Sequence, residues 1–324
     1  MGNLLMINSS EAKELLNFDD GKKIIRQIYL LHEEGKTILP HSIFLKPDSR
    51  NRIIGLPATV LGEVNVSGIK WVSSYIDNCL QGIPRASSII ILNDIQTGYP
   101  FCCINGAFIN LFRTSCSAFT VAEKYSRDRV VSKLGIVGAG AIAGCFVDCI
   151  KYFGGIPVTK LRVFDKKVEK SEKLIQEKKI SNSSISNSVE ELIIESDVIF
   201  FATTASEPYI FNSSLFSHNP LILNISLRDL SPKIIVASNN IVDDIDHVNR
   251  ENTSIQLANK QTGNINFING SIAMFLHNDL KLDTKKPTIF SPFGLGILDI
   301  AIGKYIYNKA RDQNRGTVIK NFFN

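Results

Sequence analysis

The clearest chemistry lies at Gly138-Ala139-Gly140-Ala141-Ile142-Ala143, which fits G-x-G-x-x-G/A. That pattern alone is common. Here it follows the apolar run LGIV and opens a stretch with helical spacing, the context dinucleotide binding requires. Gly138 permits the tight turn, Gly140 lets a pyrophosphate approach the backbone, and Ala143 lets helix and strand pack closely. The amides of Ala141 and Ile142 then point at the phosphates from a helix N-terminus. Asp165 ends the next apolar run, RVFD, about 20 residues beyond the turn, where a carboxylate accepts bonds from ribose hydroxyls. A carboxylate there repels a 2′-phosphate, so the expected cofactor is NAD, although Lys166 and Lys167 flank the position.

An NAD enzyme acting on an amino acid must also grip a carboxylate and move a proton. Arg suits the first task because its planar fork binds carboxylates bidentately. The second needs an acid or base of tunable pKa. Candidates at the ends of predicted elements are Arg52, Lys70, Arg113 and Asp229. No metal is expected. The six cysteines form no C-x-x-C pair, and the five histidines are scattered.

The remaining composition excludes several classes. Hydrophobic residues make up 44% and charged residues 21%, which is enough apolar surface for a large core and argues against global disorder. The net charge of +5 is small for 324 residues. Its densest basic stretch, Lys166–Lys179, mixes Lys with Glu and reads as a solvated helix face, so no nucleic-acid partner is expected. No apolar run reaches ~18 residues, so no membrane span is expected. The start, MGNLLMINSS, has no basic leader region, and Met6 stands where myristoylation wants Ser or Thr. The expected compartment is the cytoplasm, with reduced thiols.

These residues need elements to position them. Ser9 or Ser10 reads as the cap of a short helix, and Asp20 as the opening of a longer one that ends near Gly35. Strand-like runs follow at RIIGLP, SGIKWVSS, SSIIILND and YPFCCIN, separated by turn signals, which predicts a mixed or antiparallel sheet. A helix from about Ala107 to Ser126 leads away from it. From Val131 the pattern alternates strand and helix through LGIV, TKLRVFD, a weak strand in 181–188, DVIFFATTA and LILNIS. That alternation signals a doubly wound parallel sheet. The tail, GLGILDIAIGKYIYNKA, reads as an amphipathic helix. The expected fold class is α/β: a Rossmann domain over 123–305, plus a mixed α+β substrate and dimerisation domain over 1–122 and 306–324.

SGIKW (67–71), ILND-x-x-TGYP (91–100), Arg113-Thr114, the glycine turn, Asp229 and the Gly294…Asp299 helix stand in an order and spacing that resemble the ornithine cyclodeaminase/mu-crystallin family. The resemblance covers about residue 4 to 310. It is closer to one branch, the N-(2-amino-2-carboxyethyl)-L-glutamate dehydrogenases, through RIIGLP (52–57), PRAS (84–87), Asn249-Arg250-Glu251 and Ile142, where cyclodeaminases usually carry Gln. The chain departs from the family pattern at Asn105, where an acidic residue is common, and at Ser115-Cys116, where two alanines are usual.

The resemblance implies roles for individual residues. Lys70 would contact the substrate and help catalysis, and Asp229 would be the catalytic aspartate. Arg52 and Arg113 would hold substrate carboxylate. Ser87, Arg113 and Thr114 would lie near the cofactor, and Thr203 would lie where the nicotinamide ribose passes. It also implies a homodimer formed through the N-terminal sheet. The implied reaction is NAD-dependent oxidative cleavage of N-(2-amino-2-carboxyethyl)-L-glutamate to 2,3-diaminopropionate and 2-oxoglutarate, supplying siderophore or antibiotic synthesis. Two other readings stand beside it. One is an ornithine cyclodeaminase or a related ketimine reductase or amino-acid dehydrogenase. The other is a non-catalytic binder of the crystallin type, which could dispense with Lys70 or Asp229 and keep its fold.

Overall fold

The computed structural model describes residues 2–127 and 129–323. The chain divides into two compact units, Met1–Arg113 with Gly294–Asn324, and Thr114–Phe293. The sequence expectation put the joins at 122/123 and 305/306. The compact units instead join inside one helix, between Arg113 and Thr114, and again just before the C-terminal helix.

Unit 1 contains β1 (Leu4–Ile7), α1 (Ser9–Leu15), α2 (Phe18–Glu33), β2 (Thr37–Ile38), β3 (Ile43–Leu45), β4 (Arg52–Val60), β5 (Val66–Ser74), β6 (Ala86–Asn93), β7 (Pro100–Asn105) and the start of α3 (Ala107–Tyr125). Its returning segment adds the last helix (Gly296–Asp312) and the last strand (Thr317–Ile319). The strands form one mixed sheet. β4 to β7 run as an antiparallel meander, and β1 pairs parallel to β7 and antiparallel to the last strand. Alternation decides the two faces. Lys70, Ile90 and Leu92 are buried, while their neighbours Trp71 and Ile89 are exposed. The buried face packs on the C-terminal helix, which also packs on α2. Ile25, Ile28, Tyr29, Ile300 and Ile306 close this core, each worth roughly 1.5–3 kcal/mol of burial.

Unit 2 carries the rest of α3, then β8 (Lys133–Val137), α4 (Ala141–Phe153), β9 (Lys160–Phe164), α5 (Val168–Lys178), β10 (Ser183–Ile185), α6 (Val189–Ile194), β11 (Val198–Phe201) and β12 (Leu221–Asn224). It ends with α7 (Pro232–Val236), β13 (Asn239–Val242), α8 (Ile245–Val248), α9 (Ser254–Thr262), β14 (Ile268–Ser271), α10 (Ile272–His277) and β15 (Thr288–Ser291). The C-terminal helix and strand of unit 1 are thus α11 and β16. All eight strands of unit 2 are parallel, in the order β10-β9-β8-β11-β12-β15-β13-β14. The strand order reverses at β8, with β9 and β10 on one side and β11 and β12 on the other. That crevice is where doubly wound sheets bind dinucleotides. Helices cover both faces of such a sheet, so β11, β12 and β15 are buried along their whole length. Phe146 of α4 stacks on Phe200 of β11 at 4.1 Å between ring centroids.

The α/β class and the parallel sheet agree with expectation. The helix starts do not fall on the expected residues. Asn8, not Ser9 or Ser10, caps α1 in a capping box with Glu11, and Asn17, not Asp20, caps α2. In each case an Asn just before the helix has the extended backbone that lets its side-chain oxygen accept from the N3 amide. Among the described residues, no helix is long and apolar enough to cross a membrane. Nor does any group of three or more His, Cys, Asp or Glu side chains among them stand ready to hold a metal ion.

Candidate active site

In unit 2 the glycine turn follows β8 directly. Gly138 has φ +94°, and a Cβ there would meet the Ala202 carbonyl oxygen at 2.6 Å, so only glycine fits. Gly140 is the N-cap of α4 and no side chain caps this helix, leaving its first amides for a ligand. A Cβ on Gly140 would meet nothing within 4 Å, so the backbone is open to close approach. Ala143 is fully buried against the sheet. Asp165 lies just past β9, where one carboxylate oxygen accepts from the Ala139 amide at 2.9 Å and the other from the Lys167 amide at 2.9 Å. The carboxylate therefore braces the turn, and each oxygen keeps a lone pair for a further donor. These residues fit a dinucleotide. Gly138, Gly140, Ala141 and Ile142 would hold the pyrophosphate, and Asp165 the adenosine ribose. Ser115, which replaces a usual alanine, donates its hydroxyl to the Ile142 carbonyl at 3.0 Å and so ties α3 to the first turn of α4.

Two more site candidates follow neighbouring strands of the same sheet. Thr203 stands two residues past β11, and Asp229 five past β12. Asp229 is fully buried. Its Oδ1 accepts hydrogen bonds from Thr203 Oγ1 at 2.5 Å and from the Tyr209 hydroxyl at 3.0 Å, while Oδ2 accepts one from the Ser226 hydroxyl. Burial raises the Asp229 pKa, and the three hydroxyls only partly oppose it. The result is an oriented carboxylate that is a stronger base than an ordinary aspartate. Burial and the Asp229 charge together push the Tyr209 phenol up, so Tyr209 stays protonated and keeps donating.

Unit 1 holds the second set. Lys70 is 1% exposed and projects from β5 toward α11. Its Nζ donates to Asp299 Oδ2 at 2.6 Å and to Asn110 Oδ1 at 3.1 Å. Arg113 donates from Nη2 to the same Asn110 oxygen at 2.8 Å, and its Nε lies 3.5 Å from Asp299 Oδ1. Two cations thus share one buried carboxylate. Burial pulls the Lys70 pKa down to about 8. Arg113 adds to the fall and Asp299 opposes it. The Arg113 guanidinium packs against Gly294 (φ +95°), where a Cβ would come within 2.6 Å of Nη1.

The structure brings Lys70 and Arg113 together, and likewise Thr203 and Asp229. Arg52 stands on the Lys70 face of the sheet at the far end of β4, opposite Ser74. Ser87 does not join Lys70. It pairs with Ser73 at 2.8 Å on the opposite face, and the buried Ser88 takes the Lys70 face instead. Strand alternation alone makes that difference. Thr114 is buried on α3. Asn110, Tyr209 and Ser226 escaped the sequence reading, and Asp299 entered it only as a landmark of the C-terminal helix, with no role at the site. Asp299 had a signal, being the one acid in the apolar run GILDIAIG. Tyr209 and Ser226 had none, because their place beside Asp229 comes from loop folding.

A family model described as the ornithine cyclodeaminase/mu-crystallin family matches residues 3–314. The N-((2S)-2-amino-2-carboxyethyl)-L-glutamate dehydrogenase of Staphylococcus aureus is 27% identical over 303 residues, 89% of each chain. Among solved structures, the Thermococcus litoralis Δ1-pyrroline-2-carboxylate reductase in complex with NADH and L-proline is 24% identical. It matches with a TM-score of 0.87 over 97% of this chain and 99% of its own. An archaeal alanine dehydrogenase dimer with bound NAD matches at 0.86 and 20% identity, over 98% and 99%.

Proposed function

The chain belongs to the ornithine cyclodeaminase/mu-crystallin family, and from that premise we propose that it is an NAD-dependent oxidoreductase acting on a CH–NH bond. Its substrate is N-(2-amino-2-carboxyethyl)-L-glutamate, and its products are 2,3-diaminopropionate, 2-oxoglutarate and NADH. The observation that carries the redox reading is one edge of unit 2. The glycine turn, Thr203 and Asp229 follow the C-terminal ends of β8, β11 and β12, which are adjacent strands, and ligands of doubly wound sheets bind at that edge. The 27% identity to the staphylococcal enzyme supports the substrate.

NAD, held by the glycine turn and Asp165, would supply the hydride acceptor for the glutamyl α-carbon. The chain's own residues do the rest. Arg113 and Lys70 present fixed positive charge to the substrate's α-carboxylate, with Asp299 and Asn110 orienting both. Loss of hydride leaves an imine, and water adds to its carbon. Asp229 takes the proton from that water, which its raised pKa favours. Protonated Asp229 then returns the proton to the departing nitrogen, and the carbinolamine collapses to the carbonyl as its hydroxyl proton passes to the freed Asp229 carboxylate and on to solvent. A homodimer through the exposed face of the unit 1 sheet completes the reading. The supports are the apolar Trp71 and Ile89 on that face and the dimeric state of the archaeal relative.

The test is absorbance at the reduced-nicotinamide band, with NAD and either N-(2-amino-2-carboxyethyl)-L-glutamate or ornithine. Net NADH with equimolar 2-oxoglutarate from the first establishes the reaction. Proline and ammonia from ornithine, without net NADH, would replace it with cyclodeamination, since that reaction regenerates its cofactor in each turnover.

A further inference from the structure

Two guanidinium groups stand together on unit 1 with no acid between them. Arg52 begins β4 and lies opposite Ser74 of β5. Arg85, just before β6, donates from Nη1 to the Ser74 hydroxyl at 3.0 Å. The charges Arg85 meets are the Arg52 guanidinium and the Cys79 thiol. Burial and Arg52 both push its pKa down. No described residue gives either arginine a carboxylate partner. The nearby Asp77 is taken by Arg50 at 2.9 Å. A guanidinium has five N–H donors, and within the protein Arg85 uses one, on Ser74. Adjacent like charges without a counter-charge raise the energy of the empty protein, and an anion placed between them relieves it.

The pair is on the substrate face. Ser74 is four residues beyond Lys70 in β5, so the two side chains point the same way. We propose that Arg52 and Arg85 form a second carboxylate subsite, so that the substrate carries an acid group several bonds away from the carboxylate held by Lys70 and Arg113. The proposal rests on the reading above that unit 1 holds the amino-acid substrate. It adds Arg85 to the site and excludes ornithine on physical grounds, because a cationic side chain would meet two more cations.

The experiment is calorimetric binding of two matched acids to the full-length protein saturated with NADH. One is 2-oxoglutarate. The other is 2-oxopentanoate, the same carbon skeleton without the second carboxylate. The subsite predicts that 2-oxoglutarate binds about 10- to 100-fold tighter, the range expected of a charge-assisted pair. Arg85→Gln should cut that preference to a few-fold with 2-oxopentanoate affinity unchanged, Arg52→Gln should cut it as well, and Arg85→Lys should restore part of it. Equal affinity for the two acids in the unaltered protein, or a preference that survives both Gln variants, would overturn the subsite. The comparison on unaltered protein stands even if a variant misfolds. Absence of NADH formation from N-(2-amino-2-carboxyethyl)-L-glutamate alongside a strong 2-oxoglutarate preference would sink the named substrate and leave the subsite standing.

Discussion

In the proposed reaction two buried ionisable groups, Asp229 and Lys70, carry the chemistry, and each makes a separate prediction. Asp229 has no function as a base once neutral, yet Asn keeps its shape and can still accept from one hydroxyl. Asp229→Asn should therefore lower kcat by about 10²–10⁴-fold, the usual worth of a positioned base, while NAD affinity measured by fluorescence titration stays within a few-fold. A variant that loses NAD binding and kcat together would make Asp229 a structural residue. Lys70 works as a cation, so it fails as pH rises through its pKa. kcat/KM should fall above about 8. Asp299 is what holds that pKa up, so Asp299→Asn should move the limb to lower pH, and Lys70→Arg should remove it from the accessible range. The Asn variant also leaves two buried cations without their shared carboxylate, at a stability cost of roughly 3–5 kcal/mol. A limb that stays put in Asp299→Asn would mean another group, not Lys70, titrates there.

At the scale of elements, the strand–turn–helix of β8 and α4 is the part most fully legible in the sequence. Its signal is local: an apolar run, glycines at fixed offsets, then helical spacing. Gly138→Ala tests it. The positive φ and the 2.6 Å approach to the Ala202 oxygen should cost about 1–3 kcal/mol. Thermal unfolding should shift down by several degrees, and NAD should bind at least tenfold more weakly (a factor worth about 1.4 kcal/mol). An unchanged affinity would mean that the turn does not approach the pyrophosphate. Where the signal is not local, reading failed. Leu4–Ile7 and Thr317–Ile319 are too short for a period and become strands through their pairing, Leu4–Ile7 with both β7 and Thr317–Ile319. Asn239–Val242 and Thr288–Ser291 are only four residues long each, too short to show a period, and are strands because the sheet places them side by side. Ser87 and Ser88 are equivalent in composition, and only the register of β6 against β5 says which one shares a face with Lys70. Similarly, nothing in the spacing of Thr203, Tyr209 and Ser226 foretells that three hydroxyls converge on Asp229, because loops after two different strands bring them there.

At the scale of the whole molecule, one face of the unit 1 sheet carries exposed apolar side chains. α11 covers the Lys70 face. On the other, Trp71 (40% exposed) and Ile89 (41%) stand side by side in register, and Ile43 (61%) and Leu45 (52%) on β3 extend the sheet's exposed apolar margin. An apolar sheet face of this kind marks an association surface. A second copy is the simplest cover, since a closed two-fold interface presents the same patch from both sides. Light scattering behind size exclusion should give twice 36.0 kDa at micromolar concentration. The double variant Trp71→Lys, Ile89→Lys should run at the single-chain mass, because four like charges then meet across the axis. Its NAD affinity should be unchanged within a few-fold, since the glycine turn and Asp165 belong to unit 2. If the unaltered protein runs at single-chain mass at micromolar concentration, this face needs another partner. If the variant remains a dimer, the two copies meet elsewhere.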